Sequence, residues 1–159
     1  MIPPESWVGL FEAAEATYLG TVVRESIWMF PIIEAVHLMG LCLMGGALLV
    51  VDLRLLGVGL QRQGIADLAG HVRPWLVGGV SLMLGTGILL FLSEAIKCFY
   101  NTAFWVKMTT LPVALVFTFA VRERLVEDLD TSLRSRLLGL ASMALWLTVA
   151  AAGRWIGFS

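Results

Sequence analysis

The residues best suited to chemistry are Glu34 and His37, near the start of a long apolar stretch, PIIEAVHLMGLCLMGGALLVVDLRLLG. In an α-helix their spacing places both side chains on one face, one above the other. Ionisable groups are costly inside a membrane, so a Glu-x-x-His pair at that depth indicates a functional site. A neutral histidine ligates a metal through one ring nitrogen while a second group holds the other. The pair therefore predicts a histidine-ligated cofactor or metal.

The composition places this pair in a membrane protein. Of the 159 residues, 58% are hydrophobic and 14% are charged, which is too apolar for an ordinary soluble domain. The net charge of -1 and the lack of a basic cluster argue against nucleic acid as a partner. No Ser/His/Asp set, phosphate-binding glycine loop or zinc-type cysteine pairing supports a hydrolase or nucleotide-binding class. We expect a single membrane domain over residues 1–159, in contact with the lipid bilayer.

Four stretches are long and apolar enough to cross a hydrocarbon core of about 30 Å. The predicted spans cover residues 31–56, 74–95, 102–121 and 137–158. Because backbone groups inside a bilayer must be satisfied internally, the spans predict an all-α integral membrane four-helix bundle. Residues 4–24 carry apolar positions at helical spacing and predict an N-terminal amphipathic interfacial helix. That helix lies either along the membrane surface or across the end of the bundle.

The basic residues predict the orientation of the spans. The connections after the first and third spans hold Arg54, Arg62, Arg73, Arg122, Arg124, Arg134 and Arg136. The other side holds Arg24, Lys97, Lys107 and Arg154. Since cytoplasmic loops are enriched in Lys and Arg, both connections are expected in the cytoplasm and both termini outside, in a bacterial inner membrane.

This topology brings ionisable residues of all four spans to one depth in the outer half of the membrane. The predicted polar layer consists of Glu34, His37, Glu94, Lys107 and Arg154. Two other interpretations stay open, because Lys107 and Arg154 can instead snorkel to the outer surface and His37 can be a structural histidine.

His71 is expected at the opposite end of the bundle, more than about 20 Å from His37. There it would lie at the interface among Asp67, Arg73 and Asp52. The two histidines are therefore not predicted to share one iron.

The segments PIIEAVHLMGLCLMGG, RPWLVGGVSLMLGTGILL and FWVKMTTL occur in an order that resembles the HemJ-type protoporphyrinogen oxidases. The order resembles the CopD-type copper-resistance membrane proteins more loosely. The segments DLRLLG and AAGRWIGF are more similar to an uncharacterised bacterial family of four-helix membrane proteins. The HemJ-type resemblance implies that His37 ligates haem b and that Lys107 is the opposite ligand or a group on the substrate side.

The preferred interpretation is a membrane protein that binds one haem b and works in electron transfer or in oxidation of a membrane-soluble substrate. The residues assigned to this site are His37 and Lys107 as metal ligands, with Glu34, Glu94, Arg154, Lys97 and Met44 around the cofactor. Glu34 would orient the His37 ring, and the cations Lys97 and Arg154 would pair with the haem propionates.

Two alternatives come from other functional classes. Copper handling would use the soft and imidazole donors Met39, Cys42, Met44 and His37. A non-catalytic accessory bundle would act by assembling with a partner. The expected partners of the chain are the lipid bilayer, a membrane-soluble redox partner and further copies of the chain.

Overall fold

The computed structural model describes residues 4–126 and 133–158, and the regular structure in these residues is helical. In chain order the helices are α1 (Val8–Glu15, after a 3-10 turn at Glu5–Trp7), α2 (Tyr18–Glu25), α3 (Met29–Leu56), α4 (Ile65–Ser93), α5 (Ala95–Tyr100), α6 (Thr102–Val116), a π-helical segment (Phe117–Arg122), α7 (Glu123–Val126) and α8 (Leu133–Ile156). Four of these stretches are long and apolar enough to cross a membrane. The predicted all-α four-helix membrane bundle is confirmed.

The second and fourth long helices begin earlier than the hydropathy pattern predicts. The second one starts at Ile65 rather than at Pro74, which lies inside α4. A proline removes one backbone hydrogen bond, which a helix of 29 residues packed along α3 tolerates. The early turns are held because Ile65 and Leu68 are buried. The fourth helix likewise begins at Leu133 instead of residue 137.

The N-terminal region contains two helices where the sequence predicted one over residues 4–24. The chain leaves helical geometry at Thr17, whose hydroxyl accepts a hydrogen bond from the Gly20 amide and caps α2. Helix α1 packs against α5 and α2 packs against α4, with Gly20 directly against the Leu92 carbonyl oxygen. These contacts agree with the interpretation that the region lies across the end of the bundle.

The ring of Phe11 fastens α1 to the bundle. It makes edge-on or tilted contacts with Phe91 of α4, Phe99 of α5, and Phe104 and Trp105 of α6, at centroid distances of 5.1 to 6.2 Å. Such pairs stabilise beyond the area that they bury. One aromatic side chain therefore joins three helices at this end.

Helix α3 packs against both α4 and α8, and α8 packs against α6. The apolar core between them consists of Met44, Ala47, Leu48, Leu76, Val80, Ala114, Trp146 and Val149. The backbones of α3 and α4 lie close together at Gly79, where an added Cβ would lie 2.7 Å from the Met44 nitrogen. Because the neighbour is backbone, it cannot move aside, and this contact requires glycine.

We expect Gly79→Ala to push α3 and α4 apart and to cost about 1–3 kcal/mol of stability, as overpacking does. Gly78→Ala is the matched control, since an added Cβ there meets nothing within 4 Å. Thermal unfolding of the purified protein in detergent measures both. A loss of stability in Gly78→Ala as large as in Gly79→Ala would contradict the close packing.

Candidate functional site

His37 is held by a hydrogen bond from α3 to α4. Its Nδ1 lies 2.8 Å from the Thr86 hydroxyl oxygen, which lies 2.6 Å from the carbonyl oxygen of Leu82. The carbonyl can only accept, so the single hydroxyl proton of Thr86 is donated to Leu82. Thr86 consequently accepts from His37, and Nδ1 carries the ring proton. In the neutral ring this leaves the lone pair on Nε2.

Thr86 takes the position that sequence analysis gave to Glu34. Glu34 is exposed, and among the described residues no hydrogen bond joins it to His37. Glu34 precedes His37 by three residues, which is about one helical turn. Its carboxylate is therefore nearer the membrane surface, where it stays hydrated. In this structure the hydrogen bond that orients the ring is made with Thr86 and not with Glu34.

Lys107 turns into the bundle from α6. The side chain is partly buried, and its Nζ lies 3.3 Å from the place where a Cβ on Gly153 of α8 would stand. The ammonium group is close enough to His37 and to Cys98 to interact with both electrostatically. The structure thus brings His37 and Lys107 into one neighbourhood, as predicted, and adds Cys98 to it.

Cys98 is a buried free thiol on α5, outside the four spans. Burial raises the pKa of the Cys98 thiol to about 11, and the Glu94 carboxylate acts in the same direction. The cations Lys107 and Lys97 act in the opposite direction and do not offset burial. The thiol is therefore protonated at neutral pH and is a poor nucleophile.

Three further predicted residues lie at the surface of the bundle. Glu94 and Lys97 form a partly exposed ion pair at 3.8 Å. Arg154 is exposed, with its guanidinium 4.3 Å from the centre of the Phe158 ring. For Arg154 this agrees with the snorkelling interpretation. The predicted five-residue layer is reduced to His37 and Lys107.

The predicted copper donors do not converge on one point. Met39 is 68% exposed and Cys42 is exposed, whereas Met44 is 4% exposed and packs on Gly79 in the core. By their spacing along α3, Met39 and Cys42 lie on a different face of the helix from His37 and Met44. Met44 is thus a packing residue. Among the described residues, no group of three or more His, Cys, Asp or Glu side chains is placed to hold a metal.

His71 lies far from His37, as predicted. It is exposed on α4, and its Nδ1 lies 2.8 Å from the Asp67 carbonyl oxygen and 3.5 Å from the Asp67 carboxylate. Thr86, which binds His37, is further along the same helix by about 22 Å. The expected partner Asp67 is found. Asp52, the other acid expected there, is buried and is bound by Arg122 and Ser142.

A second polar cluster lies at the opposite end of the spans. Arg122 donates to Asp52 across 2.8 Å, and the Ser142 hydroxyl donates to the other carboxylate oxygen, also across 2.8 Å. All three side chains are buried, and they join α3, the π-helical segment and α8. Nearby, the Trp146 indole donates to the Thr118 hydroxyl across 3.0 Å.

Sequence analysis missed this cluster because it counted Arg122 as a loop cation. The sequence did contain a signal for this pair. Asp52 and Arg122 each lie inside a membrane-spanning stretch, and both lie near the same side of the membrane. Charges in such positions are usually paired.

Removing one partner of a buried ion pair leaves an uncompensated charge, so Asp52→Ala should cost about 3–5 kcal/mol of stability. Asp67→Ala, at an exposed carboxylate, should change little. Replacing both partners by apolar residues of similar volume, Asp52→Leu with Arg122→Met, should recover much of the loss. Unfolding in detergent measures all three, and an equal effect in Asp67→Ala would contradict the assignment.

Comparison with known proteins gives a family without an assigned activity. The model of the "Family of unknown function (DUF6644)" matches residues 10–159. Neither the curated proteins nor the solved structures give a match. The matched region contains all four spans together with His37, Lys107 and the Asp52–Arg122 pair. The chain therefore belongs to the DUF6644 family.

Proposed function

We propose that this protein binds haem b in the membrane, with His37 as an iron ligand, and takes part in electron transfer or in oxidation of a membrane-soluble reductant. The observation that carries the proposal is the hydrogen bond from His37 Nδ1 to Thr86. It leaves Nε2 as the free lone pair and fixes the direction of the ring. Ligating histidines are typically held in this way through their other nitrogen.

The surroundings of His37 suit a flat cofactor in two respects. Gly87 lies against the ring, with the place of its missing Cβ 3.4 Å from the His37 Cε1 atom, so this residue adds no side chain there. Lys107 supplies a second nitrogen, which ligates only in its neutral form because an ammonium group has no lone pair. Bound haem would supply one-electron iron chemistry. The protein supplies the ligand, its orientation and surroundings poor in water.

Groups that could pair with the carboxylates of a cofactor are present at the same end of the bundle. Lys97 lines a cleft of about 420 Å³ with Tyr100, Asn101, Thr102, Ala103 and Trp155. Arg154, next to Trp155, is exposed there. His37 does not line this cleft. The cleft would therefore hold the edge of the cofactor, and the iron ligand lies outside it.

The resemblance to HemJ-type proteins also assigns a ligand role to His37 and a neighbouring role to Lys107. Copper handling has less support, because Met39, Cys42 and Met44 do not converge with His37. The haem proposal is therefore preferred over the copper alternative.

His37→Ala should abolish bound haem, whereas His71→Ala should leave it intact because that ring lies about 22 Å away along α4. Visible spectra of the purified proteins, oxidised and reduced with dithionite, measure the haem bands. Thr86→Val should weaken haem binding by about 10- to 100-fold, as loss of a ligand-orienting partner does.

Equal loss of the bands in the His37 and His71 variants would contradict the site. Wild-type protein without haem bands, after expression with ample haem, would overturn the proposal. Bound copper in that sample would favour the copper alternative, and no metal would favour the accessory bundle.

We also propose that the chain lies in a bacterial inner membrane with both termini outside. Seven basic residues flank the α3–α4 and α7–α8 connections, and two of them, Arg54 and Arg122, are buried. The exposed ones on that side are Arg62, Arg73, Arg124, Arg134 and Arg136, against Arg24, Lys97 and Arg154 on the other. The exposed charges thus support the same orientation.

Single cysteines test this orientation in a background carrying Cys42→Ala and Cys98→Ala. With the α3–α4 connection in the cytoplasm, Gln63→Cys should resist a membrane-impermeant thiol reagent in intact cells, and Thr102→Cys should react. Both should react after the cells are opened. The opposite pattern in intact cells would invert the orientation.

A further inference from the structure

A groove runs along the outer face of α4, between the middle of this helix and the end that lies away from His37. Its volume is about 480 Å³, and it is lined by Gly70, Arg73, Pro74, Val77 and Gly78. All of these residues are exposed, so the groove opens away from the bundle. An added Cβ at Gly70 or at Gly78 would meet nothing within 4 Å. The described chain therefore leaves this space unfilled.

The groove crosses the edge of the hydrocarbon core. The stretch that follows Arg73, from Pro74 to Ser93, contains no charged residue. As a helix it is about 30 Å long, which matches the thickness of that core. Arg73 therefore stands at the level of the lipid headgroups. Val77 and Gly78 lie about 6 to 8 Å further along the helix, at the depth of the acyl chains.

The charge of the groove is positive at the headgroup level. Of the described residues that line it, Arg73 alone is charged. An arginine binds phosphate through its planar guanidinium while its apolar stem stays against the protein surface. Asp67, an acid one turn before Gly70, lies against His71 and not against Arg73. The headgroup end of the groove thus favours an anion, and the deeper end favours an apolar chain.

A backbone carbonyl adds a hydrogen-bond acceptor to the headgroup end. In an α-helix the carbonyl oxygen of Gly70 accepts from the amide of residue 74, but Pro74 has no N–H. Gly70 also has no side chain to cover this oxygen. A ligand that carries a hydrogen-bond donor beside its anionic group therefore matches Arg73 and Gly70 together.

We propose that this groove binds one anionic glycerophospholipid whose headgroup carries hydroxyl groups, as phosphatidylglycerol does. The phosphate accepts from the Arg73 guanidinium, a headgroup hydroxyl donates to the Gly70 carbonyl oxygen, and an acyl chain lies along Val77 and Gly78. The site does not depend on haem.

A phospholipid suits the groove better than a second copy of the chain, because the occupant needs an anion at the level of Arg73. At this end of α3 and α4 the acids are Asp52 and Asp67. The first is buried and bound by Arg122 and Ser142, and the second lies against His71.

The test uses the full chain purified in detergent and native mass spectrometry, with three lipids that have the same acyl chains. Phosphatidylglycerol should bind saturably. Diacylglycerol lacks the phosphate, and phosphatidylcholine lacks the headgroup hydroxyls, so each should bind about tenfold more weakly or worse. Equal binding of phosphatidylcholine and phosphatidylglycerol would overturn the headgroup assignment.

Two pairs of variants locate the lipid. Gly78→Leu fills the groove and should raise the Kd for phosphatidylglycerol by about tenfold or more. Its matched control is Gly85→Leu, which fills open space on α4 outside the groove and should change the Kd by less than about twofold. Arg73→Gln should raise the Kd by about tenfold, as loss of a charged hydrogen bond does. Its control Arg62→Gln removes an exposed charge from the α3–α4 connection and should change little.

Three results would overturn the proposal. One is the absence of saturable binding of phosphatidylglycerol to wild-type protein. Another is an equal weakening in Gly85→Leu and Gly78→Leu, which would show that the lipid covers the helix without using the groove. The third is a dimer in the wild-type spectra that Gly78→Leu abolishes and Gly85→Leu retains, which would assign the groove to a second copy of the chain.

Discussion

The close contact between α3 and α4 sets the register on which the rest of the molecule depends. Gly79 lies against the Met44 backbone. His37 precedes Met44 by seven residues on α3, and Thr86 follows Gly79 by seven residues on α4. The side chains of His37 and Thr86 are hydrogen-bonded to each other. Seven residues are close to two helical turns, so the same faces meet again. The contact that excludes a side chain at Gly79 therefore also brings the Thr86 hydroxyl to the His37 ring.

The bundle keeps its polar chemistry at two levels separated by an apolar core. His37 and Asp52 are both on α3 and stand about 22 Å apart along it. Between them lie Met44, Ala47 and Leu48, which belong to the core cluster. The two levels differ in kind. Asp52 is fully matched by Arg122 and Ser142, whereas His37 keeps a free lone pair, which makes it the more reactive group.

Features that depend on a single stretch of chain could be read from the sequence. The four apolar stretches predicted the bundle, and Asn101 caps α6 so that the third span begins at residue 102 as expected. Helix rise alone separated His71 from His37. Contacts between side chains of two different helices could not be predicted from the sequence in this way. The partner of His37 is Thr86, 49 residues away, and hydropathy carries no information on which residues of two apolar helices face each other.

Local breaks in the helices were missed for a similar reason. Thr17 and Pro74 are both candidates to end a helix, yet the chain breaks at the first and continues through the second. The difference is tertiary. Residues before Pro74, such as Ile65 and Leu68, are buried against the bundle, so packing offsets the lost hydrogen bond. At Thr17 the break lets α1 and α2 follow the end of the bundle, and the hydroxyl caps the second helix.

The π-helical segment Phe117–Arg122 changes the phase of the third spanning stretch. A π turn takes one residue more than an α turn, so whatever follows is rotated by roughly 100° about the helix axis. Ala114 faces the core before the segment, and Arg122 faces Asp52 at its end. The extra residue in the π turn thus directs the Arg122 guanidinium toward Asp52. Deleting one residue here would leave the hydropathy profile nearly unchanged but would turn Arg122 away from Asp52. The number of residues in this segment therefore determines the ion pair, and its hydropathy does not.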